Sequence, residues 1–173
     1  MKKVVDDALD FSVKQSMSMF NEMKSQKGIL PRSAKDGKMI TCESSWWTSG
    51  FYPGTLWYCY EYSNDPQVRT AAEEMTSRVE NQKYTTNNHD VGFIINCSFG
   101  NGYRLTHNES YREVIKTAAN SLSTRFHPIT GCTRSWNNKK WQFSVIIDNM
   151  MNLELLTVCL LYTSPSPRDL STS

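Results

Sequence analysis

The chain has 173 residues, of which 39% are hydrophobic, and its 19 basic and 17 acidic residues give a net charge of +2. A chain of this length can bury about 70% of its unfolded surface, which is enough for one globular domain. It has no run of basic residues to follow a phosphate backbone and no stretch of ~20 apolar residues, so neither nucleic acid nor a membrane is an expected partner.

The N-terminus lacks the pattern of a signal peptide. Two acidic residues, Asp6 and Asp7, occupy the place where such a peptide needs its apolar run. We therefore expect a cytoplasmic protein from the sequence as written, and a periplasmic one if a signal segment precedes Met1.

Helical periodicity is the main pattern along the chain. Three segments have apolar residues on one face only, which predicts amphipathic helices covering a core on one side. Three others are apolar or aromatic nearly all round, which predicts helices buried on every side. The one-sided segments carry Val5, Leu9, Val13, Met17 and Phe20, then Val68, Ala71, Ala72, Met75 and Val79, then Tyr111, Val114, Ile115, Ala118 and Leu122; the all-round segments are Phe51–Tyr62, Val91–Tyr103 and Val145–Leu156.

This alternation is also a repeat. Residues 63–69 match residues 106–112 at an offset of 43, and residues 47–51 match residues 89–93 at an offset of 42. Periods of this size are typical of stacked helical hairpins. We predict an all-α fold of about three hairpins, each with an outer and an inner helix, whose outer-to-inner loops lie on one rim.

Two aspartates stand out, one just before and one within the predicted inner helices. Asp90 precedes the second all-apolar segment, a position where aspartate is usually a helix N-cap. Asp148 lies within the third, where a carboxylate must be paired, hydrogen-bonded or protonated. Burial would raise the pKa of Asp148 and suit it to act as a general acid. Its structural alternative is a hydrogen bond from Asn152, four residues further on.

Two tryptophans lie in polar surroundings. Trp47 follows two serines and another tryptophan, and Trp136 stands between Arg134-Ser135 and two asparagines. A lone tryptophan is usually part of a core, but exposed rings beside polar donors suit stacking on a sugar face. The five cysteines are odd in number and form no CxxC pair, which is typical of reduced thiols and not of a zinc site. We expect no metal and no cofactor.

Four segments of the chain form a set of motifs: SWWTSGF (45–51), HDVGF (89–93), GCTRSW (131–136) and VIIDNMMNL (145–153). Together they resemble the motifs of the unsaturated glucuronyl hydrolases, glycoside hydrolase family 88. They appear in the family's order and spacing, and the resemblance extends to about Leu156. It implies an α/α toroid of six hairpins, of which this chain would be an N-terminal part holding about three.

The resemblance also implies roles for individual residues. Asp148 matches the general acid/base, Asp90 its assisting carboxylate, and His89, Trp47 and Trp136 match positions that line the sugar subsite. The implied substrate is the 4,5-unsaturated uronic acid at the non-reducing end of oligosaccharides produced by polysaccharide lyases. The implied reaction is hydration of the C4–C5 double bond, which gives a hemiketal that collapses and releases the remaining sugar.

Two other functions fit part of the pattern. The unsaturated rhamnogalacturonyl hydrolases share the ring and the chemistry but act on a different attached sugar. A non-catalytic helical-repeat binding module would not need a buried acid at Asp148.

Residues 157–173 depart from the family's pattern. Pro165 and Pro167 cannot continue an inner helix. We predict a partial toroid domain over residues 1–156 and a non-native or disordered tail over 157–173. With half of the ring, the chain alone would supply about half of the sugar site.

Overall fold

The computed structural model describes residues 2–138 and 140–163, and these are mainly helical. Two short antiparallel hairpins join the helices, β1 (Ile29–Lys35) with β2 (Lys38–Glu43) and β3 (Phe126–His127) with β4 (Cys132–Thr133). The helices are α1 (Lys2–Met23), α2 (Phe51–Ser63), α3 (Pro66–Ser77), α4 (Val91–Ile95), α5 (Asn101–Thr106), α6 (Glu109–Ser123), α7 (Asn149–Asn152) and α8 (Glu154–Thr163), with a 3-10 turn at Glu80–Tyr84 and a π-helical turn at Asn96–Gly100.

The predicted order of outer and inner helices is confirmed over the first two pairs. The expected burial of Phe51–Tyr62 on every side was wrong, because Tyr58 is 58% exposed. The outer helix α1 packs on α2, and α3 packs on both α2 and α5. The inner segment from Val91 to Tyr103 is interrupted by the π-helical turn, but all five residues of α4 are buried. Outer helix α6 then packs on α4 and α8. The hydrophobic core between these helices includes Ile115 and Leu122.

The repeat has a structural counterpart at the start of α3 and of α6. The residues that end the preceding helices, Asn64 and His107, have left-handed φ angles of 53° and 52°. The next residues, Asp65 and Asn108, are N-caps whose side chains each accept the backbone N–H two positions further on. Both turns therefore use the same capping geometry, as the offset of 43 residues predicts.

Two glycines mark the contacts between successive inner helices. A Cβ atom at Gly50 would overlap the backbone of Ile94, and one at Gly92 would overlap the backbone of Asn152. Gly50 and Gly92 are matched at the offset of 42 residues, so the repeat preserves a close approach between neighbouring helices.

The β1–β2 hairpin was not predicted. Its turn is Asp36-Gly37, both with positive φ (51° and 72°), the conformation that the Asp-Gly pair favours in two-residue hairpin turns. The two strands beside this turn are mostly exposed. Because neither strand buries one face in a core, their sequences need no regular alternation of apolar and polar residues. The Asp36-Gly37 pair was therefore the available signal for this hairpin.

The prediction for Val145–Leu156 was wrong in part. Helix begins only at Asn149, and Ile147 is 87% exposed. The preceding residues extend along the loop instead: the Ser135 N–H donates to the Ser144 carbonyl, and the Ile146 N–H donates to the Ser135 hydroxyl. Because these backbone groups bond to the loop, they are not available to an earlier helical turn.

The beginning of α1 also differs from the prediction. Val5 and Leu9 were expected in the core, but they are 51% and 38% exposed, whereas Phe20 is buried. At the other end, α8 continues past residue 156 to Thr163, and residues 164–173 of the predicted tail lie outside the described part of the chain. Among the described helices, none is both long and apolar enough to cross a membrane.

Candidate active site

The two aspartates singled out from the sequence begin successive inner helices. Asp90 precedes α4 and Asp148 precedes α7, with backbone angles of −65°, −10° and −66°, −9°. Both residues occupy the N-cap position, but neither carboxylate makes a capping hydrogen bond. The N-cap interpretation of Asp90 is therefore confirmed for its position and wrong for the bonding of its side chain. The repeat thus places two carboxylates at positions with the same backbone conformation. Since neither bonds to its own helix, both can contact other groups.

The imidazole of His89 lies between these carboxylates. Its Nε2 atom is 3.5 Å from Oδ1 of Asp90 and 3.4 Å from Oδ2 of Asp148. The His89 side chain is fully buried, while the two carboxylates retain exposures of 16% and 30%. Nε2 of His89 and Oδ1 of Asp148 make no hydrogen bond within the described chain. The buried Nε2 edge of the imidazole therefore faces both carboxylates.

The remaining atoms of His89 are firmly held. Its backbone N–H donates to the Ser135 carbonyl at 2.9 Å. Its Nδ1 atom is 2.6 Å from Oδ1 of Asn149, and Nδ2 of Asn149 donates to the Thr133 carbonyl at 2.6 Å. The short β3–β4 hairpin and the loop after it therefore hold the backbone and the Nδ1 edge of His89. The Nε2 edge points toward the carboxylates.

Trp136 covers the other side of this cluster. It pairs with Asn88 in an isolated β-bridge, and its side chain lies beside the Asp90 carboxylate, where its effect is to lower the pKa of Asp90. Its ring meets that of His89 edge to face at 5.4 Å, yet 38% of the residue remains exposed. The predicted site residues His89, Asp90, Asp148 and Trp136 are therefore brought together.

A buried arginine anchors the loop that carries Trp136. The guanidinium of Arg125 donates to the carbonyls of Arg134 and Thr86, at 2.8 and 2.6 Å. Burial lowers the pKa of Arg125, and the negative charge of Asp90 opposes that effect. Arg125 therefore ties the loop to the inner side of the second repeat.

Trp47 lies one aromatic layer away from the carboxylates. Its ring packs on Phe51 at 5.7 Å and on Phe93 at 5.9 Å, and it is 44% exposed. Phe93 belongs to α4, the helix that Asp90 begins, so Trp47 stands on the same rim. A groove of about 910 Å³ lies between α1, the β1–β2 hairpin and the start of α2, and its lining includes Phe51.

The electrostatics of the two carboxylates differ from the prediction. Burial raises the pKa of Asp90; the ring of His89 opposes the rise, and the charge of Asp148 adds to it. Helix α4 offers little to offset this rise, because it has only five residues and gives the Asp90 carboxylate no capping bond. The expected burial of Asp148 was also wrong, because its side chain is 30% exposed.

The proposed structural partner of Asp148 acts elsewhere. Oδ1 of Asn152 accepts the Phe93 N–H at 2.8 Å, and its Nδ2 donates to the backbone carbonyl of Asp148 at 3.2 Å. Asn152 therefore links α7 to α4, and it does not hold the Asp148 carboxylate. The alternative in which Asn152 holds the Asp148 carboxylate by a hydrogen bond was therefore wrong.

The cluster has the composition of a possible metal site. His89, Asp90 and Asp148 each offer one ligand atom, and these atoms lie within 4.8 Å of one another. Their present spacing also suits the sharing of a proton, since one imidazole nitrogen faces two carboxylate oxygens. The expectation that no metal is used stays a prediction.

Asn149, Ser135 and Arg125 were missed by the sequence reading. Asn149 follows Asp148 directly, so the polar pair Asp148-Asn149 within an apolar segment was an available signal. Only Asn152 was considered as a partner of Asp148. Ser135 and Arg125 act through backbone groups of loops, which no periodicity reveals.

Comparisons with known proteins agree with this geometry, although no family model matches the chain. It is 46% identical over 113 residues to an unsaturated glucuronyl hydrolase of Formosa agariphila, covering 64% of this chain and 28% of that protein. It is 29% identical to an unsaturated chondroitin disaccharide hydrolase of Streptococcus pyogenes, covering 88% of this chain and 39% of that protein.

A solved structure gives the same result for the fold. The crystal structure of an unsaturated glucuronyl hydrolase specific for heparin superposes with a TM-score of 0.81 at 38% identity, covering 91% of this chain and 43% of that chain. The chain thus spans less than half the length of these relatives. By sequence and by its partial helical toroid, the chain belongs to the unsaturated glucuronyl hydrolase family.

Proposed function

We propose that the protein removes 4,5-unsaturated uronic acid from the non-reducing end of lyase-generated oligosaccharides by hydrating the C4–C5 double bond. The observation that carries this proposal is the position of the buried His89 edge between Asp90 and Asp148. Such a cluster can hold a proton beside a negative charge, which is what addition of water across a vinyl ether requires. The names of the relatives support the same substrate class.

In this proposal Asp148 is the general acid/base. Its carboxylate is the more exposed of the two, and it is held by no side-chain cap, so it can face a sugar on the rim. Asp90 assists from a more buried position, where its raised pKa favours retention of a proton. Because both carboxylates contact the same Nε2 atom, a proton held by the cluster can reach Asp148 through His89.

The reaction then needs two steps at the double bond. The protonated carboxyl of Asp148 gives its proton to C4, and positive charge develops at C5, where the ring oxygen shares it. The resulting carboxylate takes a proton from water as the oxygen of that water bonds to C5. The hemiketal so formed opens, and C1 becomes a hemiacetal that releases the attached sugar. No other reactant is consumed.

Aromatic rings on the rim would position the sugar. Trp136 lies beside Asp90 and remains 38% exposed, so its ring can receive a sugar beside the acids. Trp47, supported by Phe51 and Phe93, offers a second exposed ring further along the rim. We assign both tryptophans, with His89, to substrate binding.

The test is an assay of the protein, expressed from its full open reading frame, with an unsaturated uronyl disaccharide in D₂O. Hydration predicts loss of the ultraviolet absorbance of the double bond and one deuterium at C4, detected by NMR. Ordinary acetal hydrolysis would release the sugar but keep the double bond, and that outcome would refute the proposal. A binding module would do neither, which separates this proposal from its non-catalytic alternative.

A further inference from the structure

We infer that Asn149 is a positioning residue that keeps a proton on Nδ1 of His89, so that the mobile proton of the cluster lies on the Nε2 edge between Asp90 and Asp148. The inference rests on the proposed function for its catalytic meaning. The hydrogen-bond geometry that supports it is independent of any reaction.

The direction of each hydrogen bond follows from a backbone carbonyl. The Thr133 carbonyl can only accept, so the atom of Asn149 that lies 2.6 Å from it must be the amide nitrogen. The other end of the same amide is then the oxygen, which also can only accept. Because this oxygen is 2.6 Å from Nδ1 of His89, Nδ1 must carry the hydrogen.

Burial makes this assignment costly to break. His89 is fully buried and Asn149 is 5% exposed, so water cannot replace either partner of the bond. A reversed amide would place two donors or two acceptors against each other at both ends, which leaves buried polar groups unpaired. The position of the ring proton is therefore set by the backbone of β4.

The consequence for the acids is chemical. With Nδ1 occupied, any proton exchanged between the ring and a carboxylate must use Nε2, the atom within 3.5 Å of both Asp90 and Asp148. The opposite neutral tautomer would carry its proton permanently on Nε2 and could only donate to the acids. Asn149 thus keeps Nε2 available both to accept a proton from one carboxyl and to return it to the other.

The first test needs no substitution. Long-range ¹H–¹⁵N correlation spectra of the 173-residue chain, labelled in its three histidines, distinguish a protonated from an unprotonated ring nitrogen. The signals that disappear in the His89→Gln variant identify His89. We expect a protonated Nδ1 in the folded chain. An unprotonated Nδ1 would overturn the inference, whether or not the protein is active.

Variants then separate positioning from general packing. Asn149→Asp keeps an acceptor toward Nδ1, and we expect it to retain the protonated Nδ1. Asn149→Ala removes the acceptor, and we expect the Nδ1 signal to move toward the unprotonated range. Asn152→Ala removes another buried amide, one helical turn further on, that contacts α4 and not His89; its Nδ1 signal should remain that of the unsubstituted chain.

The outcomes distinguish this inference from the proposed function. A protonated Nδ1 that is lost in Asn149→Ala but kept in Asn149→Asp and Asn152→Ala supports the positioning role even if no sugar is turned over. Equal loss in Asn149→Ala and Asn152→Ala would show that packing alone sets the tautomer and would overturn it. If Asn149→Ala does not fold, the unsubstituted chain and Asn149→Asp still decide the question.

Discussion

Asp90 and Asp148 begin successive inner helices with nearly identical backbone angles, and both lie within 3.5 Å of the same His89 nitrogen. The pair therefore arises from the repeat itself: each helical pair places one residue at the same point of the rim. Their environments differ, because Asp90 is the more buried and lies beside Trp136. One structural position thus provides two acids with different properties.

The first prediction concerns these acids in the protein expressed from its full open reading frame. Asp148→Asn keeps the shape but removes the transferable proton, so we expect turnover to fall by at least about 100-fold with binding largely retained. Asp90→Asn should reduce turnover by about 10- to 100-fold, since Asp90 assists. Both are measured as loss of double-bond absorbance. Near-normal turnover in Asp148→Asn would show that this aspartate is not the general acid.

The second prediction is a pH-dependent effect on stability. Because burial raises the pKa of Asp90 above its ordinary 3.8, the folded chain binds this proton more readily than the unfolded chain. Stability from this group is present below pH 3.8 and is lost as pH rises through the folded pKa. Asp90→Asn should therefore melt at a higher temperature than the unsubstituted chain at pH 7.

This gain in melting temperature should shrink as the pH approaches 3.8, where Asp90 is protonated in the folded chain anyway. Melting curves at several pH values, followed by circular dichroism, provide the check. A gain that stays constant with pH would mean that the substitution acts through packing and not through charge.

The third prediction concerns metal. We expect turnover to be unchanged after dialysis against a chelator, because the His89 edge and the two carboxylates share a proton in the proposed reaction. The matching measurement is titration of the chain with Zn²⁺ or Mn²⁺ by calorimetry. Loss of activity with the chelator, restored by one of these ions, would assign the cluster to a metal instead.

The fourth prediction concerns the contact between Gly92 and Asn152. A methyl group at residue 92 would overlap backbone that cannot move alone, so Gly92→Ala should destabilise the fold by on the order of 2–3 kcal/mol, measured by denaturant unfolding. Gly100→Ala is the matched control, since the atoms nearest to its Cβ would belong to the side chain of Asn96 and not to backbone. Equal losses in the two variants would contradict a special role for the Gly92 contact.

The fifth prediction is association of the 173-residue chain. Large apolar residues near both ends of the described chain are strongly exposed, and such surfaces favour association. We expect concentration-dependent elution in size-exclusion chromatography and binding of an apolar dye. Monomeric elution with one sharp cooperative melt would show that this part of the ring is self-sufficient. The residues include Val4, Phe11, Ile147, Met150, Leu160 and Leu161.

The sequence predicts those features that depend on periodicity or on a motif. Two outer helices, the buried inner segment at residues 91–95 and the convergence of His89, Asp90, Asp148 and Trp136 all follow from it. Periodicity fails where a loop competes for backbone hydrogen bonds, as Ser135 does before Asn149. An apolar run such as Val145-Ile146-Ile147 then predicts burial that the tertiary structure does not provide.

The local sequence also misjudged the state of the acids. The pKa of Asp90 depends on burial, on His89 and on Asp148, and the last of these is 58 residues away in the chain. A neighbour so distant along the chain cannot be inferred from the residues beside Asp90. The direction of a pKa shift at a site assembled between repeats therefore requires coordinates.

The assembly of the acids from different helical pairs has a consequence for thermal behaviour. Helical repeats contact mainly their neighbours, so one pair can open while the others remain folded. Asn149 and Asn152 cross from α7 to the preceding pair, where Asn149 contacts His89 and Asn152 accepts the Phe93 N–H. Local opening of the last pair would thus separate the acids before most of the helix is lost, and inactivation on heating would precede the loss of the helical circular-dichroism signal.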